Sequence, residues 1–381
     1  MPHFRELELR WELGINLYFL GALLEVALAY TPEDISIQEE TKLVLTEAQS
    51  IFQALGDGRE SGNSLRSLGN LYMLQHELPE AIKYWQSARE KLLAAGERFI
   101  AADIYWQMGD VYLRLGEHEQ AFHCYRIMSE PYIEAGHKAG VANRLSKESY
   151  EAVRYSDLDF ARQLREQTLA LTQEIGYVQL ESWSTWEMGE LQRVSGDLVA
   201  AREWFERSRT IFEKLREHNG LTFYHRGLGD IAQAQADYAE AQRQFSESLR
   251  WAQETRHLWG ETYALCGLGR AEVGLQLFDS AHQHFAQALS KAKKMGEPAL
   301  MLVALYGFAS LYAAKGESER SVELSSLVIH HRSSWRETRS QAAELLEVVK
   351  PSLRVGNIRP KVESSGQELF EVANSLLETR A

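Results

Sequence analysis

The chain has 381 residues, of which 45% are hydrophobic and 25% are charged, as in an ordinary folded protein rather than a disordered one. Its net charge of −13 argues against nucleic acid or an anionic membrane surface as the main partner, because both are bound by a positive field. The two cysteines, Cys124 and Cys266, lie far apart and are predicted to be free buried thiols in a reducing cytoplasm.

The first predicted helix pair comprises residues 4–30 and 36–55, joined by a turn at residues 31–34. Residues 14–30 (GINLYFLGALLEVALAY) are apolar, but they are short for a bilayer span and include Glu25. Ala29 also falls in register with the repeats that follow. We therefore expect a buried first helix, no membrane segment and no secretory signal.

Small residues recur every forty positions in three registers. The first register is Ala29, Gly69, Gly109, Ser149, Gly189, Gly229, Gly269 and Ala309. The second is Ala81, Ala121, Ala161, Ala201, Ala241, Ala281 and Ser321, and the third is Gly56, Gly96, Gly136, Gly176, Arg216, Arg256 and Gly296. One spacing held without insertion indicates a stack of similar units, each of which buries its apolar face against a neighbour.

Within the unit at residues 101–136, apolar residues fall three and four apart along two helices. Gly109 and Ala121 lack bulk, which lets the two helices approach closely, and the aromatic residue four positions after each alanine is predicted to fill the adjacent gap. These aromatic residues are Trp85, Tyr125, Phe205, Phe245 and Phe285. In the repeat at 141–175, Ser149 replaces the glycine and Arg165 the aromatic residue, which we interpret as drift, with a bend or hinge as the alternative.

Six further helix pairs are predicted to begin near Glu60, Phe99, Ala139, Val178, Leu221 and Leu258, and an eighth begins near Pro298. After residue 331 the register is lost. A closing helix at 335–349, an irregular connector at 351–365 and an amphipathic helix at 367–378 are expected. The predicted fold is an all-α, right-handed α-solenoid of about eight antiparallel helix pairs over residues 1–331, with a capping and partly irregular tail at 332–381.

The repeat pattern resembles the tetratricopeptide repeat. It is carried by Leu65, Leu68, Gly69, Tyr72, Ala81, Trp85 and Ala88, and again by Tyr105, Met108, Gly109, Tyr112, Ala121 and Tyr125. The period of forty exceeds the usual thirty-four, and the proline that commonly ends the second helix is absent. HEAT repeats share the longer period but not this pattern of glycine, alanine and aromatic residues.

The long variant is similar to the C-terminal arrays of bacterial STAND ATPases (signal-transduction ATPases with numerous domains), including activators of the maltose-regulon type. Residues 323–331 and 335–342 resemble the segment that closes such arrays. The resemblance implies a binding scaffold with a protein or peptide partner, and an ATPase or effector module in cis or in trans. No GxxxxGK[ST] loop and no DNA-binding segment is present in this sequence.

Catalytic motifs are not found, and we expect no enzyme activity, no cofactor and no metal. Gly267 and Gly269 resemble half of a dinucleotide loop but lie mid-helix at the repeat glycine. His282 and His284 point to opposite sides of one helix. The abundant carboxylates are typical of solvated helix faces.

The resemblance implies that the first helix of each pair lines the inner curve of the superhelix. Residues on these helices that point away from the packed stripe are rich in arginine, asparagine and aromatic side chains, which are favoured anchors of binding sites. The predicted groove comprises Asn63, Arg66, Asn70, Asp103, Trp106, Asp110, Arg114, Asn143, Tyr150, Arg154, Trp183, Trp186, Glu190, Arg193, Phe223, Arg226, Asp230, Tyr263 and Arg270. The alternative is that these side chains pack against the neighbouring repeat.

Arg66 and Asn70 resemble the start of the carboxylate clamp of chaperone-tail-binding tetratricopeptide proteins, although Gln107 stands where the next asparagine is expected. An extended peptide held by arginine–carboxylate contacts and aromatic stacking also fits these residues.

Three functions remain open at this point: the ligand-sensing array of a STAND-type regulator, a stand-alone adaptor, and an enzyme. A sensor is expected to change its radius of gyration on binding, and an adaptor is not. For either kind of groove, Trp186→Ala and Arg226→Ala are expected to lose binding at an unchanged melting temperature.

Overall fold

The computed structural model describes residues 2–30, 34–155, 158–352 and 366–378. These residues form helices joined by short turns and contain no strand. They belong to two compact units, the first ending at Arg144 and the second beginning at Leu145. The predicted all-α array of helix pairs is confirmed.

The helices of the first unit are α1 (Pro2–Tyr30), α2 (Ile35–Leu55), α3 (Gly58–Leu74), α4 (Leu78–Ala94), α5 (Arg98–Arg114) and α6 (His118–Glu134). The next helix, α7 (Lys138–Tyr155), contains the boundary between the units. The predicted turn at residues 31–34 lies largely outside the described residues.

The second unit continues with α8 (Leu158–Ile175), α9 (Val178–Val194), α10 (Leu198–Leu215), α11 (His218–Ala234), α12 (Tyr238–Glu254), α13 (Leu258–Gly274), α14 (Phe278–Lys294), α15 (Pro298–Ala314) and α16 (Ser318–His330). It ends with α17 (Arg336–Val349), a 3₁₀ turn (Lys350–Ser352) and α18 (Gly366–Glu378).

The period of forty comes from two helix-and-turn units of twenty residues each. Most helices have 17 residues, and a residue with positive φ follows each of them. That residue is usually glycine, since a left-handed backbone is costly for other residues. Arg216 and Arg256 occupy the same turn position with φ of 55° each, which explains why they continue the third register.

The repeat glycines pack directly on the aromatic rings of the partner helix. A Cβ added to Gly109 would lie 2.5 Å from the ring of Tyr125, and one added to Gly269 would lie 2.5 Å from that of Phe285. Both rings and the neighbouring repeat alanines are fully buried. The predicted close crossing, filled by an aromatic ring, is therefore present.

Substitution of Ala201 by leucine is expected to lower the free energy of unfolding by about 1–3 kcal/mol, because the crossing has no room for a larger side chain. Ala201 is 0% exposed, and its carbonyl oxygen would lie 3.2 Å from a Cβ added to Gly189. Urea denaturation measures the change, with Ala234→Leu at an exposed helix end as the control. A change of a few tenths of a kcal/mol in Ala201→Leu would contradict this packing.

The repeat that begins with α7 departs from this arrangement. Arg165 of α8 stands in the place of the aromatic ring and is only 1% exposed, and Ser149 stands in the place of the glycine and is fully buried. A guanidinium group thus occupies a core position that aromatic side chains fill in five of the other pairs.

The first helix is buried on one face only. Gly14 and Gly21 lie against Phe52 and Leu45 of α2, whereas the opposite face exposes leucines such as Leu23, which is 69% exposed. The expectation of a buried helix holds for the first face and is wrong for the second. Within the described residues, one stretch, Glu6–Leu28, is long and apolar enough to cross a membrane by length and composition.

The two helices predicted beyond residue 331 are present. α17 packs on α15 and α16, and α18 packs on α14 and α15 through the buried side chains of Leu369 and Ala373. Residues 353–365, predicted to be an irregular connector, lie outside the described residues. The division into an array at 1–331 and a tail at 332–381 stays a prediction.

Candidate binding site

A chain of oppositely charged side chains, five of them largely buried, runs across the first helices of the second unit and ends on α17. Their signs alternate from one contact to the next, in the order Glu337, Arg193, Glu190, Arg226, Asp230 and Arg270. We call these six residues the ion-pair chain. Three helices (α9, α11 and α13) supply five of its members, and α17 supplies Glu337.

Arg193 joins the tail of the protein to the repeats. Its Nη1 and Nη2 atoms donate to the two carboxylate oxygens of Glu337 at 2.8 and 2.9 Å, and its Nε donates to Glu190 at 3.1 Å. A guanidinium held in this two-pronged contact recognises a carboxylate by geometry as well as by charge. Glu337 is 36% exposed, whereas Arg193 is buried.

Arg226 lies in the middle of the chain and is 3% exposed. Its Nη2 donates to Glu190 at 2.5 Å, and its Nε lies 3.9 Å from Asp230. Asp230 also accepts a hydrogen bond from Arg270 at 3.0 Å. Each internal carboxylate therefore faces two guanidinium groups.

These contacts set the protonation of the buried carboxyl groups. Burial alone would raise the pKa of Glu190, but the guanidinium groups of Arg193 and Arg226 outweigh it and lower that pKa to about 2. Burial would also raise the pKa of Glu337, but the guanidinium group of Arg193 holds that pKa below the ordinary value. For Asp230, burial prevails over its arginine neighbours and the pKa is raised.

Aromatic rings surround the central arginine. The guanidinium carbon of Arg226 lies 4.7 Å from the ring centroid of Trp186 and 4.6 Å from that of Tyr263. Trp186 is 1% exposed, donates from Nε1 to the carbonyl of Phe223 at 3.0 Å, and meets the ring of Phe223 edge-on at 5.2 Å. Such contacts favour the charged guanidinium in a site with little water.

A small cavity of about 30 Å³ lies beside the ion-pair chain, with room for about two water molecules. It is lined by Tyr150, Val153, Arg154, Arg165, Glu190, Arg193, Val194, Arg226, Tyr263, Trp335 and Glu337. Arginine and aromatic side chains therefore make up most of its wall.

Arg165 is the buried cation at this cavity with the poorest pairing. Its Nε and Nη1 have no hydrogen-bond partner among the described residues. Burial lowers its pKa to about 10, although Glu187 and Glu190 oppose the shift. Glu187 is itself buried, accepts hydrogen bonds from Ser146 and Ser149 at 3.1 Å each, and has a pKa raised by burial.

The predicted groove residues of the second unit are brought together, but mostly inside the protein. The cavity wall includes Tyr150, Arg154, Glu190, Arg193, Arg226 and Tyr263, and the surrounding cluster includes Trp183, Trp186, Phe223, Asp230 and Arg270. The expectation that this face is exposed is wrong for seven of these residues, because they are buried: Trp186, Glu190, Arg193, Phe223, Arg226, Asp230 and Tyr263.

The predicted residues of the first unit do not converge in this way. Asn70 accepts hydrogen bonds from Trp85 and Gln107 at 3.2 and 3.0 Å, and Asn63 donates to Glu60 at 3.2 Å. The remaining predicted residues are exposed or half-buried along α3, α5 and α7: Arg66, Asp103, Trp106, Asp110, Arg114 and Asn143. Of these, Asp103 and Asp110 accept hydrogen bonds from Tyr132 and Tyr125.

Several residues of the site were not predicted from the sequence: Arg165, Glu187, Trp259, Trp335 and Glu337. The sequence does contain a signal for Arg165, because this arginine breaks the aromatic register together with Ser149. Trp335 and Glu337 follow the loss of the repeat register, and the resemblance of residues 335–342 to an array-closing segment does not place them at a site.

The arrangement can hold a carboxylate by two-pronged guanidinium contacts and an aromatic side chain by stacking. No group of three or more histidine, cysteine, aspartate and glutamate side chains among the described residues is placed to hold a metal ion. Both cysteines are free and buried, and burial raises the pKa of Cys124 to about 11 and that of Cys266 to about 12.

The family of these repeats follows from the sequence match together with the geometry. A family model of the tetratricopeptide repeat matches residues 60–126 and 180–254. These two segments are similar to tetratricopeptide repeats. The second matched segment contains Trp186, Glu190, Arg193, Arg226 and Asp230, so most of the ion-pair chain lies in a segment similar to tetratricopeptide repeats.

Solved structures share this fold over almost their whole length. A Rap protein complexed with competence and sporulation factor aligns with a TM-score of 0.58 at 11% identity, covering 92% of this chain and 99% of that chain. Aspartyl phosphate phosphatase F from Bacillus subtilis gives 0.59 at 13%, covering 92% and 97%. The Rap conjugation gene regulator of plasmid pLS20, in complex with the Phr* peptide, gives 0.55 at 14%, covering 89% and 99%.

At these identities the similarity shows the fold alone. No curated protein sequence matches the chain significantly.

Proposed function

We propose that this tetratricopeptide-repeat protein is a non-enzymatic scaffold that binds a peptide or an extended protein segment. The site is the first-helix face of the second unit, where the ion-pair chain and Arg165 meet the aromatic cluster formed by Trp186, Phe223 and Tyr263. The ligand presents at least one carboxylate, and arginine contacts and aromatic stacking hold it.

The observation that carries this proposal is the state of Arg165. An arginine at a core position costs stability unless partners compensate for its burial. Here two of the three guanidinium nitrogens of Arg165 lack a partner, and the side chain lines a cavity. A ligand carboxylate supplies the missing acceptor, whereas a purely structural position would favour the aromatic ring of the other repeats.

Structural relatives support the choice of a peptide. Two of the proteins that share this fold are in complexes, one with competence and sporulation factor and the other with the Phr* peptide. Arginine and aromatic side chains, which are enriched among the residues that dominate binding energy at interfaces, line this cavity.

The finer role we propose is that of a ligand-sensing array in a cytoplasmic STAND-type signalling or transcriptional regulator, acting on an ATPase or effector module in cis or in trans. It is supported by the sequence resemblance of residues 323–342 and by the regulator named among the structural relatives. Small-angle scattering with and without ligand separates this role from that of an adaptor.

Replacement of Arg165 by methionine is expected to abolish ligand binding while leaving the melting temperature equal to or above that of wild type. Methionine fills a similar volume without a buried, incompletely paired charge. The measurement is a selection from a random peptide library on the immobilised full-length chain, followed by titration of the enriched peptides against wild type and variant.

The control is Arg162→Met on the same helix, where the side chain is half-buried. This variant is expected to bind like wild type. Peptides that bind Arg165→Met as tightly as wild type would place the site elsewhere. A large drop in stability of Arg165→Met would assign this arginine a structural role.

A further inference from the structure

The turn between α16 and α17, together with the first two residues of α17, contributes Trp335 and Glu337 to the wall of the cavity. Residues 331–337, which we call the closing segment, return to helices that lie far earlier in the sequence. Glu337 contacts Arg193 across 144 positions, and Trp335 donates from Nε1 to the hydroxyl of Tyr155 across 180 positions at 3.0 Å. The cavity of the proposed site lies beneath these two side chains.

Trp335 occupies an aromatic and cationic pocket. Its ring lies 6.1 Å from that of Trp259 and 6.2 Å from that of Tyr263, and the guanidinium carbon of Arg154 lies 4.9 Å from its centroid. The ring is only half-buried, so it covers the pocket rather than completing a closed core. A ligand ring in this position would make the same contacts.

Glu337 supplies the carboxylate that balances the charges. Without it the ion-pair chain would hold three arginines against Glu190 and Asp230, with Arg154 and Arg165 nearby on the same cavity wall. Its two-pronged contact with Arg193 is the geometry by which arginine holds a carboxylate ligand. It is also the most exposed member of the chain, at 36%.

Nearby hydrogen bonds shape the closing segment locally. Arg339 donates to the carbonyl oxygens of His331 and Ser334 at 3.4 and 3.2 Å, and the amide of Ser333 donates to Nδ1 of His331 at 3.1 Å. The contacts of Trp335 and Glu337 with α7 and α9 are additional to these. These local hydrogen bonds do not involve the side chains of Trp335 or Glu337, so the turn does not depend on the contacts that those side chains make with the site.

We propose that the closing segment is an internal occupant of the binding site, and that the ligand is a peptide with an aromatic residue followed two positions later by an acidic residue. Such a peptide takes the places of Trp335 and Glu337 and displaces them. This inference rests on the proposed function and adds the ligand class and the self-occupied state. Binding then moves the tail of the protein, which links occupancy of the site to α17.

The test uses the full-length Trp335→Ala/Glu337→Gln variant and a fluorescein-labelled peptide with the sequence of residues 331–340, HRSSWRETRS. Fluorescence anisotropy is expected to show at least tenfold tighter binding to the variant than to wild type. In wild type the tethered segment competes at an effective concentration of about the millimolar range. The same peptide with its glutamate replaced by glutamine is expected to bind the variant at least tenfold more weakly.

The matched control is Glu347→Gln on the exposed side of α17, which keeps the closing segment and is expected to behave like wild type. Circular dichroism and the melting temperature show whether each variant is folded. If the double variant unfolds, Glu337→Gln alone takes its place, since it preserves the shape of the side chain and the whole of Trp335.

Equal binding of the peptide to wild type and to the folded variant would overturn the inference, and so would the absence of binding to a folded variant. The result of this test can be distinguished from the result of the peptide-library test of the proposed function. Library-selected peptides that bind wild type and the Glu337→Gln variant equally would leave the scaffold intact and remove the internal occupant. If no library peptide binds either protein, the proposed function fails as well.

Discussion

Replacement of Trp186 by alanine is expected to lower the free energy of unfolding by about 3–5 kcal/mol. Trp186 is 1% exposed and lies at the centre of the aromatic cluster, against Phe205, Phe223 and the guanidinium of Arg226. The substitution leaves a large cavity and removes one of the hydrogen-bond donors to the Phe223 carbonyl oxygen. Urea denaturation of the full-length protein, followed by circular dichroism, measures the change.

The matched control is Trp106→Ala. Trp106 stands at the same repeat position two repeats earlier, but it is 37% exposed. Its replacement is expected to lower the free energy of unfolding by about 1 kcal/mol or less, because little packing is lost. Similar losses in the two variants would show that burial at this register does not determine stability.

Replacement of Arg226 by alanine is expected to lower the free energy of unfolding by about 3–5 kcal/mol, because it breaks a buried ion pair and leaves each of two buried carboxylates with one partner fewer. Glu190 would keep only Arg193, and Asp230 would keep only Arg270. The pKa of Glu190, now lowered to about 2 by its arginine neighbours against the effect of burial, is expected to rise in the variant. The measurements are the urea midpoint at neutral pH and its dependence on pH.

Arg66→Ala is the control for this substitution, since Arg66 stands at the same repeat position in the first unit and is half-buried. The free energy of unfolding of Arg66→Ala is expected to differ from that of wild type by about 1 kcal/mol or less. Arg226→Met, which retains volume but removes the charge, is expected to cost as much as Arg226→Ala if the unpaired carboxylates dominate. A much smaller cost in Arg226→Met would show that lost packing, not charge, is the main effect.

These two results bear on how the binding site can be tested. From the sequence, Trp186→Ala and Arg226→Ala are expected to lose binding at an unchanged melting temperature. The burial of both side chains changes that expectation, because each variant loses stability together with any binding. Arg165→Met and Glu337→Gln are better probes, since both retain the volume of the side chain.

Local features explain how well the sequence predicts the helices. Residues that favour a left-handed turn recur at fixed intervals, as at Gly96 and Gly116, and they end helices regardless of what packs on them. The close approach at Gly109 and Tyr125 is likewise a property of one pair of adjacent helices. Helix number, period and crossing therefore follow from residues close in the sequence.

The sequence also identifies which helices carry the candidate site. The first helices of the second unit hold arginine, carboxylate and aromatic side chains at equivalent positions, and the structure brings Glu190, Arg193, Arg226 and Asp230 into one cluster. The break in the pattern at Ser149 and Arg165 is also visible in the sequence. The sequence does not show that the guanidinium group of Arg165 lacks hydrogen-bond partners, because this depends on what surrounds it in the folded protein.

The tertiary structure alone decides which of these side chains are exposed and what covers them. Exposure of a first-helix residue depends on the neighbouring repeat and on the tail, and Trp106 and Trp186 differ in exposure although they share a register. The contact between Glu337 and Arg193 joins residues 144 positions apart, beyond the region where the repeat register holds. Periodicity specifies the local packing of each helix pair, whereas a pairing at this distance depends on where the folded chain places its own tail.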